Sequence, residues 1–195
     1  MPLMASATTD SSGSASETTV TSETAAAVEE ENVVNNTVVA AGGRTIKSTL
    51  VGAYRAKTVQ GFAVNTPAAT VNAAAGLAEG SVPFVSNYDI YPETSPLAYA
   101  SLNGAANAIG GKVLAAINLQ FGWSDGTSYN DLGRGVTASA TVGVPLDKYT
   151  AGKNYAMIVV FPGGATQVLL DQDTDPYTVT FNLIGGFAAY ALVEY

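Results

Sequence analysis

From Asn154 to Tyr195 the chain reads as four short runs rich in Val, Tyr, Phe and Thr, cut by Pro162-Gly163-Gly164, by the stretch 171–176 and by Gly185-Gly186. Strand formers bounded so closely by turn formers predict an antiparallel sheet. In YTVTFNL, Val179, Phe181 and Leu183 fall on one face while Thr178, Thr180 and Asn182 fall on the other, the alternation of a half-buried strand. In FAAYALVEY both faces carry apolar residues, which predicts the most deeply buried strand.

Upstream, Asn32 to Ala41 is a strand candidate, and the stretch from Arg44 to Pro67 predicts one or two more, with Ile46, Leu50, Val51, Tyr54, Val59, Phe62 and Val64 supplying buried surface. Two helices follow. Thr66-Pro67 places a capping hydroxyl before a proline at the first helical position, and Gly76 suits the left-handed closing position with Leu77 as its apolar partner. Ser95-Pro96 repeats the device; Ala98, Leu102, Ala105 and Ile109 recur at helical spacing until Gly110-Gly111 stops the run. Val82 to Tyr91, Lys112 to Phe121 and Val136 to Pro145 predict further strands, with a turn at 123–126 and a polar loop at 129–135. The expected fold class is mainly β, α+β in its first half. The chain divides into a leader-like start (1–7), an acidic arm (8–31), a strand-helix-strand-helix region (32–110) and a C-terminal β-sandwich module (111–195).

Composition narrows the function. The 195 residues contain no cysteine and no histidine, so disulfides, thiolate nucleophiles, Cys or His metal sites and a Ser-His-Asp triad are all excluded. No positioned base or nucleophile is visible, and the expectation is a protein that is not an enzyme. The net charge is −8, and Asp10, Glu17, Glu23, Glu29, Glu30 and Glu31 sit in a tract without Lys or Arg. Such a balance argues against nucleic-acid and anionic-lipid partners, and no apolar run is long enough to span a bilayer. Residues 1–7 resemble the end of a secretory signal peptide, with Ala5-Ser6-Ala7 as the small-residue cleavage pattern. The Ser/Thr/Ala/Glu tract after them cannot bury enough surface to offset its ordering entropy, and reads as a flexible arm.

Three segments, GAYRAKTVQGFAVNTPAATVNAAAGL, SPLAYASLNGAANAIGGKV and DTDPYTVTFNLIGGFAAYALVEY, resemble secreted surface proteins of gut clostridia and relatives that carry a C-terminal β-module. The likeness covers roughly residues 45–195. It carries no catalytic motif and implies a bacterial cell-surface location and a fold rather than an activity. A looser likeness is to immunoglobulin-type sandwiches, in which a tyrosine after a strand corner bonds back to the backbone; Tyr190 stands at that place. On that likeness the last strand of the sandwich is missing, an edge is left open, and the chain resembles strand-exchanging pilin-type sandwiches.

Four candidate sites follow. The valines Val33, Val34, Val38 and Val39 suit an arm that adds to the open edge of a second copy, giving a homopolymer or filament. Asp171, Asp173 and Asp175 alternate like the start of a calcium loop, the one cofactor the sequence admits. The positions that an EF-hand fills with Gly and Glu are Pro176 and Asn182 here, and a polar interstrand turn explains the same acids. Trp123 and Tyr129, with Tyr88 and Tyr91, suit an aromatic platform for sugar rings or another surface ligand. Asp89 with Glu93, or Asp125 with Asp131, are the carboxylate pairs a glycosidase reading would use. Asn35-Asn36-Thr37 also matches a glycosylation acceptor. Two functions stay open: a structural surface subunit that assembles by strand addition, and a glycan or host-ligand binding module displayed at the surface.

Overall fold

The computed structural model describes residues 34–195; the leader-like residues 1–7, the acidic arm 8–31 and Val33 lie outside the described residues. Among the described residues the elements are β1 (Thr37–Val39), β2 (Thr45–Lys47), β3 (Val51–Tyr54), β4 (Phe62–Val64), α1 (Ala68–Ala75), β5 (Val82–Asp89), α2 (Pro96–Ala108), β6 (Lys112–Ser124), β7 (Tyr129–Asp131), β8 (Thr137–Gly143), β9 (Tyr155–Val160), β10 (Thr166–Leu170), β11 (Thr178–Ile184) and β12 (Gly186–Glu194). The protein is mainly β with two helices in its first half, as the pattern predicts.

A large sheet runs in the order β10-β9-β12-β6-β5-β3, with β7 added to β6, and faces a small sheet ordered β11-β8-β4. Pairing is antiparallel except between β3 and β5. Because β5 and β6 pair along eight residues from Val82↔Ser124 to Asp89↔Ile117, the large sheet draws on both sides of residue 110. Val34–Tyr195 is one compact unit, and the pairing that joins residues on either side of 110 is long-range, which local punctuation does not show.

β12 is buried on both faces. Ala188, Tyr190 and Leu192 enter the core between the sheets, where they meet Ile117, Leu119 and Phe121 of β6 and Val179, Phe181 and Leu183 of β11. Ala189, Ala191 and Val193 point the other way and, with Ala116, Ala156 and Ile158, form a floor of small residues beneath Leu102 and Ala106 of α2. The aromatic rings of Phe62, Phe181 and Tyr190 step across the sandwich at centroid distances of 6.3 and 6.0 Å. Each such side chain contributes about 1.5–3 kcal/mol on full burial.

The open rim expected beside β12 is absent: β6 and β9 pair with it on either side. The tyrosine expectation does match the geometry, because the Tyr190 hydroxyl accepts the Ile184 N–H at 3.3 Å across the β11–β12 corner. The helix stops also behave as read. Gly76 adopts φ +60 while Leu77 N–H bonds to the Asn72 carbonyl, and Gly110 adopts φ +73 after α2. The Thr66 hydroxyl does not cap α1; it accepts the Ser139 N–H at 2.8 Å and ties the helix entry to β8.

Two outcomes test this frame. Burial pushes the Tyr190 hydroxyl up to about 12, against an ordinary 10.0, with the Ile184 N–H opposing the shift. A raised folded-state value means that the contribution of this proton to stability is whole below pH 10 and is lost as pH rises through about 12. Tyr190→Phe should lower stability at neutral pH by about 1–3 kcal/mol, because it orphans a buried N–H. It should also flatten the alkaline fall, as read by urea unfolding at the two ends of that window. Separately, Gly61 has φ +85, and a Cβ there would lie 2.0 Å from the Thr37 carbonyl oxygen. Gly61→Ala should therefore cost more than about 2 kcal/mol and raise amide exchange along β1.

Candidate functional site

The described part of the valine arm is engaged within its own chain. β1 pairs with β2, Val38 is fully buried, and the Asn35 backbone donates to the Tyr54 carbonyl and accepts the Phe62 N–H. The Asn35 amide donates to the Ala56 carbonyl at 2.8 Å, so the glycosylation acceptor is occupied by the fold itself. Only Val34 and Val39 are exposed. Val34, Val38 and Val39, expected to be held for a second copy, thus lie in a segment that pairs within its own chain. The residues that precede β4 cover the free side of their own small sheet, since Gly61 and β4 lie directly beneath them.

The acids at 171–175 close the opposite edge of that sheet. Asp171 Oδ1 accepts the Thr180 N–H at 2.9 Å, while Gln172 N–H bonds to the Thr180 carbonyl, so the loop pairs with the outer side of β11. Asp173 Oδ2 accepts the hydroxyls of Thr178 and Thr180, and Asp175 takes the N–H groups of Tyr177 and Ala41. Each acid also accepts or presents a turn bond two residues on, as in Asp173 N–H to Asp171 and Asp175 N–H to Asp173. No group of three or more acids among the described residues is arranged to hold a metal ion. The turn reading fits these bonds better than the calcium reading, because all of these carboxylate oxygens except Asp171 Oδ2 are already accepting hydrogen bonds.

Trp123 and Tyr129 do not share a surface. They belong to adjacent rows of the β6–β7 ladder, Trp123 opposite Asn130 and Tyr129 opposite Ser124, so their side chains leave opposite faces. Trp123 packs against the main core, and Tyr129 lies outside with 78% of its surface exposed. Of the acids of the glycosidase reading, Asp89, Asp125 and Asp131 are likewise engaged, while Glu93 is exposed. Asp89 accepts the N–H groups of Lys57 and Thr58 and clamps that loop onto β5. Asp125 closes its own turn; the N–H groups of Ser128 and Thr127 hold its carboxyl far below the usual carboxylate range. Asp131 accepts the Gln120 amide at 2.8 Å.

What the fold does bring together is the half of the large sheet that α2 leaves bare. β6 alternates Ile117, Leu119, Phe121 and Trp123 inward with Asn118, Gln120, Gly122 and Ser124 outward. Register places Phe187, Gln120 and Ser86 in one row across β12, β6 and β5, and Asn118 beside Tyr88 in the next. Tyr88 is 48% exposed and Phe187 41%. Gly122 has no side chain, and a Cβ there would meet the Phe84 ring at 2.8 Å; Phe84 lies over it and receives Tyr129 edge-on at 5.5 Å. At the Phe187 end the face runs into a hollow of about 510 Å3 between Leu97 and Ser101 of α2 and the β9–β10 turn at Phe161 and Pro162. The Arg134 guanidinium stacks 4.4 Å over the Phe161 ring and stiffens that wall. Three exposed or half-exposed rings, two amides and the hydroxyls of Ser86 and Ser124 thus share one face with the Asp131 carboxylate, which accepts the Gln120 amide. Tyr88 and Tyr129 are candidates in the sequence itself; for Asn118 and Gln120 the signal there is the strict alternation from Ile117 to Ser124, and Phe187 has none.

The acid loop yields a pH test. Burial pushes the Asp171 carboxyl above its ordinary value and the Asp173 charge adds to this, while the Asp173 and Thr180 N–H groups oppose it. A raised folded-state value means that ionising Asp171 weakens the fold as pH rises through that value, and that nothing is lost below the unfolded value. Asp171→Asn keeps an oxygen for the Thr180 N–H and removes the charge. It should match or exceed the wild-type melting temperature at pH 7, with the gain vanishing under acid conditions; a variant less stable at pH 7 contradicts this account. No protein-family model, curated protein or solved structure matches the chain.

Proposed function

We propose that this protein is a surface-displayed, non-enzymatic binding module that takes an extended glycan across the bare half of its large sheet. The observation that carries the reading is the alignment of Tyr88 and Phe187 on either side of Asn118 and Gln120. Aromatic rings stack on the apolar C–H faces of sugars, while amides satisfy the hydroxyls around the ring edges. The face presents its side chains from paired strands rather than from loops, so little conformational freedom is lost on binding. Its low charge suits a neutral ligand, in keeping with a chain of which only 12% is charged.

Assembly by strand addition from residues 34–39 is the weaker reading. It requires Asn35 to surrender its bonds to Tyr54, Phe62 and Ala56, and Val38 to leave a fully buried position.

Binding to a glycan array and to insoluble polysaccharides is the direct test. Tyr88→Ala and Phe187→Ala should each weaken binding about tenfold, the equivalent of about 1.4 kcal/mol. Both should leave unfolding within about 0.5 kcal/mol of wild type, because the rings are surface groups. Trp123→Ala should do the reverse, lowering stability while sparing affinity in the folded fraction. A protein that binds no glycan, or one whose binding ignores both ring deletions, removes this reading.

A further inference from the structure

A second hollow, of about 440 Å3, lies at the other end of the sandwich, where β9 begins and β12 ends under the 171–176 loop. Tyr155 starts β9 and Phe161 follows its end, so the two hollows stand about 20 Å apart along the strand. The volume falls within the usual range for small-molecule sites, about 300–1,000 Å3.

Its walls are rings held in place. Tyr149 stacks on Tyr155 at 6.0 Å with 22° between the planes, and meets Tyr177 edge-on at 5.0 Å. The Tyr155 hydroxyl accepts the Thr150 N–H and donates to the Thr150 carbonyl, which fixes the ring and the loop that carries Tyr149. Tyr195 is anchored by a reciprocal pair of backbone bonds with Asn154. These rings meet polar groups from the opposite side. Asp173 and Asp175 have their oxygens engaged by N–H groups and hydroxyls, as described above, and have little left to offer a ligand. Asp171 differs: Oδ1 carries the bonds to Asp173 and Thr180, while Oδ2 accepts no hydrogen bond from the described residues. Lys153 lines the same hollow.

We infer that this hollow is a binding site for a single neutral pyranose, either a free monosaccharide or the end of a glycan chain. The Tyr149 side of the hollow takes the apolar face of the sugar. Asp171 Oδ2 accepts a hydroxyl proton and the Lys153 ammonium donates to a neighbouring hydroxyl oxygen, the acceptor-donor pairing that vicinal hydroxyls satisfy. Charge narrows the choice: an anionic ligand meets Asp171 together with the adjacent Asp173 and Asp175. The burial that raises the Asp171 carboxyl also marks it as a group short of solvent, which a hydroxyl donor would relieve. The site goes beyond the flat-face reading and does not rest on it, since no residue is shared between the two.

Amide NMR of the full chain tests the assignment, with titration by glucose, galactose, mannose, fucose and N-acetylglucosamine, and with choline and citrate as charged probes. At least one sugar should move the amide signals of Lys153, Asp171, Thr174 and Tyr195. Asp171→Asn and Lys153→Ala should each weaken those shifts about fivefold or more, while the rest of the spectrum stays folded. The shifts should persist in Tyr88→Ala, in which the flat face has lost its ring, so that failure at one site is distinguishable from failure at the other. The inference is overturned if no sugar moves these signals at about 50 mM, the millimolar range being the weakest affinity a specific site of this size should show. It is equally overturned if choline or citrate moves them instead, or if the shifts are indifferent to both substitutions.

Discussion

A strand that is apolar on both faces has to lie in the middle of three layers, and β12 imposes that condition on the whole molecule. Its inner residues require the small sheet and its outer residues require α2. The two covers are unequal. A helix of 13 residues is about 20 Å long and about 10 Å wide, whereas six strands abreast span about 25 Å. The helix therefore covers only a stripe. Beneath it the outward residues are the alanines of β6, β9 and β12; beyond it they become Asn118, Gln120 and Ser124. The composition of the bare face follows from where the helix stops, and the exposed rings of Tyr88 and Phe187 stand out because nothing of the core's packing accounts for them.

The small sheet poses the opposite problem, two edges rather than a face. A three-stranded sheet with open sides templates pairing with other chains. On one side residues 35–37 and 48–49 lie along β4, the Thr49 N–H bonding to the Val64 carbonyl. On the other, the 171–175 loop satisfies β11 with carboxylates. A buried string of hydroxyls and an amide ties the two sides across the outer face of the sheet: Asn65 donates to Thr141, Thr141 and Thr180 share a bond of 2.7 Å, and Thr180 donates to Asp173. The aspartates are thus part of the edge closure, which is why a pattern suggestive of calcium coordination is met in the fold by N–H and O–H donors.

Much of this architecture is legible in the sequence because it is local. The alternation in YTVTFNL, the doubly apolar FAAYALVEY, the glycine stops at Gly76 and Gly110 and the corner at Tyr190 each depend on a handful of adjacent residues. The errors are failures of range. Trp123 looked like a turn residue beside Asp125-Gly126, but β6 extends through Ser124 because β5 and β7 pair with it from either side. Its position after Ile117, Leu119 and Phe121 already placed it on the inner face. Thr66 had the form of a helix cap, yet an N–H of β8, 73 residues further on, competes for the hydroxyl and wins it. Whether a valine-rich segment complements its own sheet or that of a neighbour is decided by the path of the chain, which composition does not encode.

The two proposed sites use this scaffold in different ways, and the difference follows from their supports. On the bare face the side chains rise from hydrogen-bonded strands, so their spacing is set by the ladder: neighbouring strands stand about 4.8 Å apart, and residues on one face of a strand repeat at about 6.7 Å. A surface ruled in this way suits a ligand that itself repeats. At the other end, Tyr149 and Lys153 come from the loop before β9 and Asp171 from the loop after β10, and their geometry is held by the stacking of Tyr149 on Tyr155 and by the edge closure at Asp171. A concave site assembled from pinned loops suits a compact ligand whose hydroxyls point in several directions. The acid loop then has two roles: the bonds to Asp171 Oδ1 shut an edge against self-association, and the same residue lines the hollow.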